Sequence, residues 1–144
     1  MNDDPITIFR RLAVKQHVLL GGLTGARSCE FDVALAAAAT TLPEGATMTE
    51  PEVNEALKAW LAGPGSMLDT DHVELRRWLI DTRLWKRDGY GRSYSRAAPP
   101  TALASIVAAL DGIDQAVEAS AARALLTAQR AERRARHASG QNVR

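Results

Sequence analysis

The sequence predicts a mainly α fold (α+β), with a small β-hairpin and a long C-terminal helix, on three observations. Apolar side chains recur at three- and four-residue intervals in several successive segments, the spacing of one buried helix face. The segments open on helix-starting residues: Asp4-Pro5, Thr49-Glu50-Pro51-Glu52 and Asp69-Thr70-Asp71. One stretch breaks the helical pattern, Lys86 to Arg96, where Asp88-Gly89-Tyr90-Gly91 supplies the glycines a tight hairpin needs. Across residues 30–96 the order is helix, helix, loop, helix, hairpin. That is the order of a winged helix-turn-helix.

Taken in order, Asp4 caps and Pro5 opens a first helix. Ile8, Leu12, Val18 and Leu19 give it one apolar side, ending at Gly21-Gly22. Arg10, Arg11 and Lys15 before Val18-Leu19-Leu20 suggest a signal peptide, but the apolar run is too short and that reading is rejected. A second helix covers Glu30 to Thr41, where Phe31, Val33, Leu35 and four consecutive alanines favour close packing. Thr49 caps a third, with Glu52 completing a capping box and Val53, Leu57, Trp60 and Leu61 facing inward. Gly63-Pro64-Gly65-Ser66 stops it. Asp71 then caps a fourth helix over 71–84, with Val73, Leu75, Trp78, Leu79 and Leu84 mostly on its buried face.

After the hairpin, Ala97-Ala98-Pro99-Pro100 reads as a stiff linker and Thr101 as the cap of one long helix over 101–138. Leu103, Ile106, Leu110, Ile113 and Val117 follow the three-four alternation of a coiled-coil seam. Asp111-Gly112 is a place where that helix can kink or split. A seam of this length must pack across its own domain or pair with a second copy; pairing, as a homodimer, is the expectation. The organisation is therefore an N-terminal helical segment at 1–29, a winged-helix domain at 30–96, a linker at 97–100, the dimerising helix at 101–138 and a flexible tail at 139–144.

The net charge of +1 says little about partners, but its distribution does. Residues 76–96 hold seven basic side chains against Asp81 and Asp88, and residues 123–144 hold six arginines against Glu132. On a helix entering a major groove beside a basic wing, such cations neutralise phosphates. The candidate contacts with duplex DNA are His72, Arg76, Arg77, Arg83, Lys86, Arg87, Tyr90, Arg92 and Arg96. The competing reading is a solvated face in which Glu74 and Asp81 pair with some of these arginines. Adjacent Arg76 and Arg77 point about 100° apart, so one of them suits an internal pair with a carboxylate such as Glu52. Tyr90 at the hairpin tip suits stacking on bases or sugars, whereas Tyr94 suits packing beside Trp85. The arginine-rich end is a second nucleic-acid contact or a solubilising tail.

The patterns TEPEVNEALKAWL and LRRWLIDTRLWKRDGYGRSYSR carry a family resemblance. Thr49, Glu50, Glu52, Val53, Asn54 and Leu57 match its first block. Asp71, His72, Leu75, Arg76, Arg77, Leu79, Ile80, Asp81, Leu84, Arg87 and Tyr94 match its second. Residues 30–96 thus resemble the domain-of-unknown-function family numbered 2087. The resemblance implies a winged-helix-like domain in transcriptional regulation, without naming an operator. The chain departs from the family in the Gly63–Ser66 loop, which reads as an insertion.

Other chemistries find little support. Asp69, Asp71 and His72 cluster, but His17 and His137 have no partner spacing, so Asp71 is read as a cap and no metal or other cofactor is expected. No nucleophile triad, phosphate loop or paired-carboxylate spacing points to catalysis, and no enzyme is expected. A single Cys29, with only Arg27 near it to favour a thiolate, reads as structural and fits a reducing cytoplasm. Nothing approaches the ~18 consecutive apolar residues of a membrane span. The expectation is a cytoplasmic, dimeric DNA-binding regulator, with an effector of unspecified kind. The alternative is a non-enzymatic protein-interaction module on the same fold.

Overall fold

The computed structural model describes residues 4–24 and 29–141. Among these the chain forms seven helices and a three-stranded antiparallel sheet. Helix α1 (Pro5–Ala13) starts as expected: Asp4 accepts from the backbone N–H groups of Ile6 and Thr7, both at 3.0 Å. It does not run on to Gly21. The chain turns at His17 (φ 55°), and Val18 lies extended beside Leu68, donating to Met67 O (2.9 Å) and accepting from Asp69 N (2.8 Å). Those cross-chain bonds replace the helical ones Val18 would make with its own neighbours. A single turn, α2 (Leu20–Leu23), follows.

Helix α3 (Glu30–Ala39) is the centre of the core. Its Val33 to Ala39 are all buried, and the small side chains let α1, α5 and α6 approach it from several directions. Helix α4 (Glu50–Ala62) has the expected capping box: Glu52 N donates to Thr49 Oγ1 (3.3 Å) and Thr49 N donates to Glu52 Oε1 (3.0 Å). The glycine-rich link after it is compact. Gly65 N donates to Trp60 O (2.8 Å), and a Cβ on Gly65 would fall 2.2 Å from the Trp60 ring, so only glycine fits there. Helix α5 (His72–Asp81) begins where Asp71 accepts from Glu74 N (2.8 Å) and buries Leu75 and Leu79.

The hairpin is strands β2 (Trp85–Arg87) and β3 (Ser93–Arg96), in the register Trp85↔Arg96, Lys86↔Ser95, Arg87↔Tyr94. A third strand, β1 (Met48–Thr49), pairs with the other edge of β3 and gives the order β1-β3-β2. Two residues are too short to show a period, and β1 has no signature in the sequence. Trp85 is buried and donates its indole N–H to Ala39 O at 3.0 Å, which fixes the sheet to α3.

The long C-terminal helix is two helices, α6 (Thr101–Asp111) and α7 (Gln115–Gln141). Pro100, not Thr101, takes the capping position of α6, with no side-chain bond. The break comes at Gly112, and Asp114 restarts the helix by accepting from Val117 N (3.1 Å). The expected intermolecular seam is largely an internal one. Leu110 is 1% exposed in the core, and Leu103, Ile106 and Ile113 pack against it, whereas Val117 is 61% exposed. Turning the chain at Gly112 lays α6 along α3, burying a face that a continuous helix would have carried into solvent. Gln115 locks the corner: it accepts from Trp60 Nε1 (2.7 Å) and donates to Ala37 O (3.2 Å) and Thr40 Oγ1 (2.7 Å). From Thr127 to Gly140 α7 is exposed all round and stays helical to Gln141, so Ser139 and Gly140 belong to the helix and not to a tail. Arg27 and residues 142–144 lie outside the described residues.

Candidate nucleic-acid interface

The expected contact residues come from one helix, the corner after it and the hairpin. Leu75 and Leu79 bury one side of α5, which leaves Val73, Arg77 and Asp81 exposed on the other and His72 half-buried in the first turn. Arg76 sits between these sides and is held inside the domain. Its guanidinium bonds to Asn54 Oδ1, pairs with Glu50 at 3.2 Å and lies 5.9 Å from the centre of the buried Tyr94 ring. Tyr94 also donates to Glu50 (3.4 Å). The carboxylate partner is Glu50 and not Glu52, whose side chain is occupied by the Thr49 cap. Glu50 and Asn54 are four apart on α4, hence on one face, and that spacing was the available signal.

At the exit from α5 the residue in left-handed conformation is an arginine. Arg83 has φ 63°, donates its backbone N–H to Ile80 O (3.1 Å), and is followed by Leu84, whose N–H reaches Leu79 O (3.1 Å). This pair of backward bonds, with an apolar residue after the turn, is the helix stop in which glycine is the usual occupant. An arginine there carries about 1–2 kcal/mol of backbone strain, and its side chain is exposed.

On the hairpin, Asp88 builds the tip. It accepts from Arg92 N (2.8 Å), Tyr90 N (3.2 Å) and Ser93 Oγ (3.3 Å), and Gly91 takes a positive φ of 68°. Those bonds, that from Arg92 N foremost, hold the Asp88 carboxyl below the ordinary aspartate value. Tyr90 projects, 83% exposed, with the Arg92 guanidinium 5.4 Å from its ring centre. Strand alternation sends Lys86 and Arg87 to opposite faces of the ribbon. Arg87 shares the face of Tyr94, where it lines an open cleft of about 290 Å³ with Arg76 and Arg77.

Arg96 does not join them. It donates to Leu42 O (2.7 Å) and forms a two-pronged pair with Asp111 (2.6 and 2.7 Å), which raises its own pKa and removes it from the expected contact surface. Arg77, Arg83, Lys86, Arg87 and Arg92 make no ion pair with a carboxylate among the described residues, although Asp81 lines the same cleft as Arg77 and Arg87.

Among the described residues no three His, Cys, Asp or Glu side chains are placed to hold a metal ion, and Asp71 is engaged as a helix cap. Cys29 is exposed and unbridged. No described helix is long and apolar enough to cross a membrane.

Compared with known families, residues 26–96 match "Uncharacterized protein conserved in bacteria (DUF2087)". Residues 26–96 belong to that family. Its match ends with β3, so the DUF2087 domain takes in α3, α4, α5 and the whole sheet but neither α6 nor α7. No curated protein and no solved structure matches the chain.

Proposed function

We propose that the DUF2087 domain is a winged helix-turn-helix that binds duplex DNA, in a cytoplasmic, non-enzymatic transcriptional regulator that acts as a homodimer. The order α3-β1-α4-α5-β2-β3, with β3 between the other two strands, supports the fold reading. The observation that carries the function is the set of unpaired cations on α5 and the hairpin: Arg77 and Arg87 in one cleft, Arg83 at the corner, Arg92 stacked on Tyr90 at the tip. In this reading α5 approaches the major groove with His72 and Arg77. Arg83, Lys86, Arg87 and Arg92 meet the phosphates, and Tyr90 rests on an adjacent sugar or base. Arg76 acts by holding α5 against α4, and Arg96 has no part. Dimerisation falls to α7, where Val117 and Leu125 remain about 60% exposed.

Gel shifts at increasing salt test this. Binding of genomic fragments should weaken steeply with salt, and Arg77→Ala with Arg83→Ala and Arg87→Ala should abolish it at moderate salt. If micromolar protein leaves DNA unshifted at low salt, the regulator reading fails. The exposed Val117 and Leu125, beside a groove of about 450 Å³ between α1 and α7, then favour a protein-interaction module.

A further inference from the structure

A second concavity lies away from α5 and the hairpin. It is a cleft of about 560 Å³ between the turn after α1, the loop before α5 and the middle of α7, within the size range of small-molecule sites. Its polar walls are Lys15, His17, Asp69, Arg123 and Arg130, with Met67 and Leu126 as apolar floor. Two features mark it as a built site. Arg123 is half-buried and held by three backbone carbonyls, Ala13 O (2.9 Å), Gly63 O (3.2 Å) and Pro64 O (3.3 Å), yet no carboxylate among the described residues balances its charge. Its Nη2 also reaches Met67 Sδ at 4.0 Å, so four of its five N–H groups are engaged and one Nη1 N–H is left to face the cleft. Across the cleft, His17 holds a left-handed backbone, pinned by the Val18 bonds to Met67 and Asp69. Strain of this kind in a non-glycine residue collects at binding sites.

Lys15 is neutralised by Glu30 at 3.0 Å, so the uncompensated charge comes from Arg123 and Arg130 against Asp69. The Arg130 guanidinium keeps its fork open, and such a fork fits an oxyanion with two coplanar oxygens, while Arg123 adds one N–H and its charge. We propose that this cleft binds a small organic oxyanion, a carboxylate- or phosphate-bearing metabolite, between Arg123, Arg130 and His17. The site is independent of DNA contact. Where the DNA reading holds, the ligand gains a route to α5, because Asp69 lies two residues before its cap, Asp71.

Citrate, pyrophosphate and inorganic phosphate serve as probes, each at constant ionic strength, against the full chain observed by amide NMR. The expected result is a saturable shift of resonances in 13–17, 66–69 and 123–130 with at least one of the three. Citrate against pyrophosphate separates the carboxylate from the phosphate source. Arg130→Ala should weaken that affinity about tenfold, while Arg133→Ala, on the exposed end of α7, should not. No shift with any probe overturns the proposal, as does a shift spread equally over 130–136 or one insensitive to Arg130→Ala. Gel shifts of the same samples report on DNA binding separately, so failure of one reading is distinguishable from failure of the other.

Discussion

Arg96 at the end of the hairpin and Asp111 at the end of α6 clasp each other through two hydrogen bonds of 2.6 and 2.7 Å. The pair fastens the sheet to the helix that follows it, and Arg96 reaches Leu42 O with its remaining Nε–H. A basic residue counted toward a DNA surface is therefore a structural rivet.

Asp111→Ala should lower stability by about 1–2 kcal/mol. That is less than the ~3–5 kcal/mol of a fully buried pair, because Asp111 is a third open to water. Denaturant unfolding measures it. DNA retention at low salt should be unchanged, and a variant of native stability that loses DNA would return Arg96 to the interface.

Arg83→Gly separates strain from function. Glycine adopts the left-handed turn freely, so stability should hold or rise by up to about 1 kcal/mol. DNA affinity should fall, and the slope of its logarithm against that of salt should flatten by about 1. Unaltered salt dependence would leave Arg83 without a phosphate contact.

The hairpin tip should respond to acid in a stated direction. The Asp88 carboxyl is held below the ordinary value by the Arg92 N–H and its companions, so its contribution is complete above pH ~4 and lost as pH falls through its lower folded value. The Tyr90 and Arg92 amide resonances should titrate together below pH ~3.9. A shared midpoint above that contradicts the assignment.

Two leucines of the C-terminal region should behave oppositely. Leu110→Asp places a charge in the core and should cost about 3–5 kcal/mol, with loss of cooperative unfolding. Leu125→Asp, on the exposed side of α7, should leave the fold intact and yield monomers by light scattering. A mass unchanged by Leu125→Asp and Val117→Asp together removes α7 as the dimer contact.

The residues themselves determined the local features. Asp4, Thr49 with Glu52, Asp71 and the Asp88–Gly91 tip all find their hydrogen-bond partners within a few positions, so composition and spacing suffice. The buried faces of α4 and α5 were legible for the same reason, since a helical period is visible in a dozen residues. Val73 is the exception: expected on the buried side of α5, it is 41% exposed on the side opposite Leu75 and Leu79. Packing decided the rest. Whether Val18 continues a helix depends on a loop fifty residues away, the two-residue β1 exists only because β3 has an edge to offer, and the α6 seam turned inward because α3 presents small alanines to it. The cations divide on the same ground. A guanidinium on a long, flexible stem takes whichever carboxylate or carbonyl the fold brings near, which drew Arg76 and Arg96 inward and left Arg77, Arg83 and Arg87 facing water.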